Sequence, residues 1–492
     1  MLMSTIALLH LLLFITSCVG AMRPTILTGN NGAICQWVQK RADNDADSFV
    51  KLIADESIVG YKIPALIFNY QDIANFSSVP TIETFTDLYR ANKTDLYPRM
   101  LSEGVFNLDA AEGHSVNKSR FWSGIIDKEI TFRVPVSGIY CVYIAPDPMK
   151  VPDFELPIYF KNYYGNLDYA YYVHYTGLKW LIIVFAVLIV AMQKLVKVED
   201  AKGAQSLSSV KAITNTLVYL TLISFIVVQL FQFFKLFMQN SVLLPYQKSS
   251  IGPIWQFVSL IANHFHDVFE LYLGLLFSMG LGVTYYYTDV QNYREFPSDW
   301  LRKTIILFMA HCLIMFLRDL CLKWSYNIPF IGTARNISSD SIATVLDYTQ
   351  IPIYCIWYAL SAVFYLKTKK KLTLVPPNLD MGSTENVVSA FKKTTLVIWI
   401  VPSVIYGLGT IFMGLSVFFY TDKNLIIEIA EGSDRAEIYM SLVLKQEKEI
   451  QKMVVILGSE LLSWISTFLS MSAIYLIWVS SSNRATIDRK VQ

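Results

Sequence analysis

Seven long apolar segments follow residue 170, and they constrain the fold more than any other feature of the sequence. An α-helix needs about 20 apolar residues to cross a hydrocarbon core of about 30 Å. Each segment reaches that length, and the charged fraction of 16% is well below the roughly 25% of a soluble domain. The sequence therefore predicts an all-α bundle of seven transmembrane helices within residues 171–480. The segments lie at roughly 173–193, 212–238, 255–284, 304–323, 347–366, 394–420 and 453–479.

Loop charge predicts how the bundle is oriented. Basic residues cluster after the first, third, fifth and seventh segments, and loops rich in Lys and Arg face the cytoplasm. The loop after the sixth segment is mixed, because seven acidic residues accompany its basic ones. The sequon at Asn336 follows the fourth segment, where glycosylation requires the lumenal side. We therefore expect a lumenal N-terminus and a cytoplasmic tail over residues 481–492.

Residues 1–21 resemble a secretory signal peptide. An apolar run ends in small residues at Gly20 and Ala21, as it does at a signal cleavage site. The basic residue usual near the start is missing, and an eighth membrane helix is the alternative. The run is shorter than the roughly 20 residues of a span, which favours the signal peptide.

Residues 22–170 predict a lumenal all-β sandwich. In ITFRVPVSGIYCVYIAP (130–146), apolar residues alternate on either side of Pro135 to Gly138. A period of two is typical of strands, and a short turn between two such runs predicts a β-hairpin.

Export of this segment predicts two covalent modifications. Cys35 and Cys141 are its only cysteines, and an oxidising compartment would pair them in a disulfide. Sequons in the same segment fit a glycosylated exported domain. They occur at Asn75, Asn92 and Asn117.

Several stretches together resemble the lung seven-transmembrane receptor family, which includes fungal Golgi members. VPVSGIYCVYIAP resembles the final hairpin of the family's Golgi-dynamics domain, and NYYGNLDYAYYVHYTGLKW (162–180) resembles its approach to the first span. MGLGV (279–283) and LIWVSSSNRATI (476–487) are similar to motifs that close its third and seventh spans. The sequence departs from these motifs, with Leu281 in place of an aromatic residue and Val479 and Ser480 in place of Arg-Pro.

The resemblance implies a divergent member of the fungal Golgi branch. Such a protein would have a lumenal Golgi-dynamics-like β-sandwich on a seven-helix bundle. It would reside in Golgi or endosomal membranes and act in vesicular trafficking, as a sorting or cargo receptor.

The stretch NHFHDVFE (263–270) has the residue types of a metal site, but its spacing argues against one. Zinc takes about four ligands in a tetrahedron. His264 and His266 are two residues apart, so a regular helix points them about 200° apart. The seventh segment contains no histidine. The sequence therefore predicts neither an enzyme nor a metal or cofactor site.

The acidic residues of the same stretch predict a polar helix face. Asn263, Asp267 and Glu270 are spaced i, i+4, i+7 and share one side of a helix. A charged group at membrane depth costs about 2.5–3.5 kcal/mol unless it is paired or hydrated. We therefore expect a partner, and Arg318 is the best candidate counter-ion.

Two interpretations of these charges remain open. Arg318 and Glu460 lie near the lumenal ends of their segments, at a depth similar to that of Asp267. The charges could line a water-filled cavity that opens to the lumen and holds a ligand. They could also form an ion-pair network that only fixes helix packing, with Lys235 extending toward the lumenal surface.

Other function classes fit the sequence less well. A signalling receptor for a soluble or lipid ligand is the main alternative, but the third and seventh segments lack Asp-Arg-Tyr and Asn-Pro-x-x-Tyr. A channel or transporter would need polar residues in the cytoplasmic half of the third segment, which is apolar. A net charge of +2 gives no support for a nucleic-acid partner.

The expected partners are membrane lipids, a lumenal cargo protein or lipid ligand, and coat proteins. Arg489 and Lys490 resemble a dibasic retrieval signal that coat proteins read. The alternative for this pair is a basic cluster attracted to anionic lipid.

Overall fold

The computed structural model describes residues 25–28, 32–41, 48–54, 61–90, 101–102, 104–126, 129–146, 154–201, 213–241, 251–283, 298–325, 337–374, 384–420 and 436–479. Several predictions fall outside these residues and stay predictions. They are the signal peptide at 1–21, the sequons at Asn92 and Asn336, and the retrieval signal at Arg489 and Lys490.

Strands dominate the described part of the N-terminal region, residues 25–161, which we call the β-domain. One sheet has the order β1-β10-β3-β8 and the other has the order β2-β9-β4-β7, while β5 pairs with β6 alone. Neighbouring strands in both sheets are antiparallel. The strands are β1 (Thr25–Thr28), β2 (Ala33–Val38), β3 (Phe49–Ile53), β4 (Ile63–Asn69), β5 (Leu101–Ser102), β6 (Val105–Phe106), β7 (Phe121–Ile126), β8 (Glu129–Arg133), β9 (Gly138–Ile144) and β10 (Glu155–Lys161).

The two four-stranded sheets pack face to face on a shared apolar core, which confirms a sandwich of sheets. Leu52 on β3 and Ile158 on β10 contribute to this core from one sheet. Ile67 on β4 and Val142 on β9 contribute from the other. All four side chains are almost fully buried, so burial of apolar surface holds the sheets together.

The predicted hairpin over 130–146 is wrong in its pairing, although both of its strands form. β8 pairs with β3 in one sheet, whereas β9 pairs with β2 and β4 in the other. The link between them crosses the sandwich at Val134, which is buried in the shared core and whose N–H donates to the carbonyl of Ser48 over 3.0 Å. Alternation of apolar residues sets the two faces of a strand and leaves its partner open.

Strand β9 lies in the interior of its sheet and is buried along its whole length. Tyr140, Val142 and Ile144 face the other sheet, while Cys141 and Tyr143 belong to a second apolar cluster on the outer face. The predicted disulfide is confirmed, because Cys141 bonds to Cys35 directly across the β2–β9 pair.

The outer face of this sheet is covered by helical structure, so the β-domain is not purely β. Helix α1 (Ile82–Arg90) and the 3₁₀ turn Tyr70–Asn75 both lie over it. Phe85 of α1 stacks on Tyr143 of β9, with ring centroids 4.4 Å apart. The prediction of an all-β domain missed helix α1. Because α1 covers the outer face of the sheet, both faces of β9 are buried.

Seven long helices form the rest of the described chain. Each packs against its neighbours in sequence, and α8 returns to pack against α2. They are α2 (Tyr169–Ala201), α3 (Leu220–Ser241), α4 (Ile251–Ser278), α5 (Ser298–Ser325), α6 (Ile337–Leu374), α7 (Thr384–Tyr420) and α8 (Ala436–Val479). A π-helical turn at Thr214–Tyr219 leads directly into α3.

Six of these helices are long and apolar enough to cross a membrane, which makes the chain an integral membrane protein. Their outward faces carry exposed large apolar side chains, as lipid contact requires. On α7 these include Val404, Leu408, Ile411, Phe412 and Leu415. The spans are Tyr169–Leu195, Thr214–Phe237, Trp300–Arg318, Thr344–Thr373, Val387–Met413 and Leu457–Val479.

Helix α4 corresponds to the remaining predicted span, at 255–284. It packs against α3, α5, α6 and α7, but it is not among the six helices whose length and composition suit a membrane span. Its crossing of the membrane therefore stays a prediction, and so does the orientation of the bundle.

The β-domain joins the bundle through a tight turn before α2. Gly165 has a φ of 133°, a conformation that favours glycine. Asn240 at the end of α3 donates its side-chain N–H to the carbonyl of Tyr164 over 2.8 Å, and its oxygen accepts from the N–H of Leu167 over 3.3 Å. One side chain of the bundle thus fixes the turn on both sides of Gly165.

We expect Gly165→Ala to lower the melting temperature of the full chain. A Cβ at this position would collide with the Asn240 side chain, and the positive φ would add strain on the order of 1–3 kcal/mol. Gly407→Ala is the matched control, because a Cβ there would meet no atom within 4 Å. Equal melting temperatures for the two variants would contradict this role of the turn.

Candidate functional site: a polar cavity in the helix bundle

A cavity of about 620 Å³ lies inside the bundle. Side chains of α3, α4, α6, α7 and α8 line it, together with the π-helical turn before α3. The lining on α3 runs from Thr221 to Gln232, and that on α8 runs from Ser459 to Met471. At 1.5 Å per residue these stretches are each roughly 17 Å long, about half the thickness of a membrane core. We call this space the bundle cavity.

The acidic face predicted on the third segment lies on this cavity. Asn263, Asp267 and Glu270 all project from α4 into its wall, and Glu460 projects from α8. Asp267 is close enough to both glutamates to interact with them electrostatically. The structure thus brings together four of the five predicted cavity residues.

Arg318, the fifth predicted residue, is not among the described residues that line the cavity. Its Nη1 atom lies 3.4 Å from Oδ1 of Asp347 on α6. Its role as counter-ion for Asp267 or Glu270 stays a prediction. Lys235 on α3, also outside the lining, interacts electrostatically with Glu460.

The two histidines of NHFHDVFE occupy different surroundings, as their spacing predicts. His266 lines the cavity, and its Nδ1 shares a hydrogen bond of 3.0 Å with Oγ of Ser224 on α3. His264 is buried and is not among the described lining residues. Within the described part of the chain, no three His, Cys, Asp or Glu residues are arranged to hold a metal ion.

A hydroxyl-rich face of α8 forms one wall, and the sequence-based predictions did not include it. Its members are spaced at i, i+4, i+7, i+8 and i+11, so they share one side of the helix. The signal was present in GSELLSWISTFLSMS, where hydroxyls recur with helical periodicity inside an apolar segment. The residues are Ser459, Ser463, Ser466, Thr467 and Ser470.

Aromatic residues of α6 and α7 complete the wall. Tyr358 shares a hydrogen bond of 3.0 Å with Ser403, and Tyr406 bonds to Ser463 of α8. Tyr354 and Trp399 also line the cavity. No sequence signal marked these residues, because their position depends on how α6 and α7 are rotated within the bundle.

Pro402 interrupts the backbone hydrogen bonding of α7 next to the cavity. Proline has no N–H, so Pro402 cannot donate to the carbonyl of Ile398 one turn earlier. Both residues line the cavity. The carbonyl of Ile398 therefore lacks its usual helical donor.

Helix α8 connects the cavity to the β-domain. The helix begins well before the last predicted span at 453–479, since its 44 residues run from Ala436 to Val479. Its first turns contact the β-domain, where Leu442 is buried in the cluster on the outer face of β9. The same helix carries Glu460 and the hydroxyl face of the cavity.

A chain of hydrogen bonds reinforces this contact. Ser441 Oγ donates to Oε2 of Glu83 on α1 over 2.7 Å, so Tyr70 must donate to Ser441 over 2.6 Å. The N–H of Ile82 donates in turn to the Tyr70 hydroxyl over 3.3 Å. Burial raises the pKa of Tyr70 to about 12, so its hydroxyl keeps its proton at neutral pH and the chain stays intact.

Comparison with known proteins gives a limited relationship. No family model matches the chain. An uncharacterised protein of Schizosaccharomyces pombe is 23% identical over 146 residues, which are 29% of this chain and 28% of that protein. The aligned region thus spans less than a third of either protein. The relative's description names no activity, so it adds nothing to the assignment of the cavity.

Proposed function

We propose that this protein is a seven-helix receptor of Golgi or endosomal membranes that acts in vesicular trafficking and binds a ligand or cargo group in the bundle cavity. The observation that carries the proposal is the cavity itself, with its concentration of polar side chains at membrane depth. Polar groups in a membrane bundle are costly and are usually retained for function. A volume of about 620 Å³ falls within the range of about 300–1,000 Å³ typical of ligand sites.

The connection through α8 supports a receptor with two coupled parts. One continuous helix bears both the cavity wall and the contact with the β-domain. A change in the packing of α8 around a bound ligand would therefore reach the β-domain directly. We propose that the β-domain faces the lumen and presents this change to lumenal cargo.

The proposed function predicts a specific loss of cargo contact. We expect Asp267→Asn combined with Glu270→Gln to reduce the proximity labelling of lumenal proteins at least severalfold, because both carboxylates of α4 lose their charge. The labelling enzyme is fused after residue 21 of the full chain. In the same cells, the localisation of the variant is measured against Golgi and endosomal markers. We expect this localisation to be unchanged.

Asp347→Asn is the matched control for this experiment. It makes the same chemical change on α6, where Asp347 is more than half exposed and is not among the described lining residues. An unchanged labelled set in the double variant would contradict the proposed function. Retention of the double variant outside these organelles would instead support the interpretation of the carboxylates as packing elements.

A signalling receptor is the second candidate, since the cavity lies at a depth suited to a small ligand. Nucleotide exchange on G proteins, measured in membranes that contain the purified chain, distinguishes this function from trafficking. A cavity-dependent increase in exchange would favour signalling over trafficking.

A further inference from the structure

The charged residues of the cavity wall indicate which class of ligand the cavity would bind. Asp267, Glu270 and Glu460 are the only Asp, Glu, Lys or Arg residues in the described lining, and all three are acidic. They stand on two different helices, α4 and α8. A ligand in the cavity therefore meets carboxylates from more than one wall, which favours a cation over an anion or a neutral lipid tail.

Two deeply buried side chains in the wall have polar atoms without a hydrogen-bond partner. Gln229 on α3 is 6% exposed and Ser470 on α8 is 2% exposed, and both line the cavity. Oε1 of Gln229 and Oγ of Ser470 receive no hydrogen bond from the described chain. A buried polar atom left unpaired costs about 1–3 kcal/mol, so a rotation of the Gln229 amide that brings its oxygen to an N–H donor of a ligand would be favourable.

Aromatic residues line the same cavity as the carboxylates. Tyr406 is one of them, and it is near enough to Asp267, Glu270 and Glu460 to interact with them electrostatically. Tyr354 and Tyr358 add further rings to the wall. Ammonium groups are attracted to the faces of aromatic rings as well as to carboxylates. This combination of walls suits an organic ammonium better than a metal ion, because no three His, Cys, Asp or Glu residues of the described chain are arranged to hold one.

The shape of the cavity suits an extended molecule. From Glu460 to Ser470 the wall of α8 covers ten residues, or roughly 15 Å. Polar groups occur along the whole of this length, with Ser463, Ser466 and Thr467 between the two ends. A linear ligand with several N–H groups could contact both the carboxylates and the hydroxyl face.

We propose that the bundle cavity binds a linear polyamine, an organic cation with at least two ammonium groups. The ammonium groups pair with Asp267 and Glu270 on α4 and with Glu460 on α8. Tyr406 packs against the charged nitrogens, and Gln229 accepts a hydrogen bond from the chain of the ligand. This inference rests on the proposed use of the cavity as a ligand site and names the chemistry of its occupant.

The test is titration calorimetry of spermidine into the purified full chain in nanodiscs of phosphatidylcholine, which has no net charge to bind the probe. We expect saturable binding to one site, at least tenfold weaker in Asp267→Asn combined with Glu270→Gln. Glu460→Gln, on another helix, is expected to weaken it at least threefold. Asp347→Asn is expected to leave it within twofold, and butylamine, with one ammonium group, to bind at least tenfold more weakly than spermidine.

Three results would overturn the proposal: no saturable binding, equal affinity in the double variant, or equal affinity for butylamine. The melting temperature of each variant shows whether it is folded. If the double variant is not folded, the affinity of Glu460→Gln for spermidine decides the question. If cargo labelling responds to the double variant but spermidine does not bind, the polyamine fails and the proposed function stands. If spermidine binds but cargo labelling does not respond, the polyamine site stands and the role in trafficking fails.

Discussion

Replacing Cys35 and Cys141 together by serine is expected to lower the free energy of unfolding of the β-domain by about 2–5 kcal/mol. The disulfide joins residues 106 positions apart, so its loss returns much conformational freedom to the unfolded chain. Both positions are buried between the sheet that contains β2 and β9 and the helices that cover it, so serine hydroxyls there would also need new partners.

Hydrogen exchange of peptides from β2 and β9 in the full chain measures this effect. We expect exchange in the variant to be faster by roughly thirtyfold or more, the factor that corresponds to about 2 kcal/mol. Cys355→Ser serves as the control, because Cys355 is a free, exposed cysteine of α6. Unchanged protection of β9 would show that the sheet does not depend on the disulfide.

Leu442→Ala is expected to have an effect of similar size on the contact between the bundle and the β-domain. Leu442 is 6% exposed and packs into the cluster that contains Phe85 of α1 and Tyr143 of β9. Removal of a buried leucine side chain costs about 2–5 kcal/mol, depending on how far the cavity left behind collapses. Loss of this anchor would free the first turns of α8 from the β-domain.

Faster hydrogen exchange in α1 and in the first turns of α8 is the expected readout. Met440→Ala is the control, since Met440 lies on the same helix and is 44% exposed. The Tyr70–Ser441–Glu83 hydrogen bonds remain available in both variants. Equal exchange in the two variants would mean that Leu442 does not hold the two parts together.

The β-domain shows which features of a strand its sequence can reveal. The alternation around Cys141 predicted β9, and its two faces form as expected. The predicted pairing of β9 with β8 was wrong because a short link can either turn between adjacent strands of one sheet or cross from one sheet to the other. Pairing depends on contacts with residues far away in sequence, such as β2 and β4, and the local pattern does not contain them.

The lining of the cavity could likewise be predicted only in part, because some of its residues follow a local sequence pattern and others depend on contacts between distant parts of the chain. Helical spacing placed Asn263, Asp267 and Glu270 on one face of α4, and the cavity lies on that face. The hydroxyl face of α8 could have been found by the same periodicity. Tyr354 and Tyr406 could not, because an apolar helix gives no sign of which side meets the interior.

An experimental structure of the full chain in lipid nanodiscs with spermidine tests most directly whether the bundle cavity is a ligand site. We predict an open cavity with non-protein density between α4 and α8, in contact with Asp267 and Glu270. Collapse of the helices onto one another, with the carboxylates paired to Arg318 and Lys235 and no space between them, would contradict this prediction.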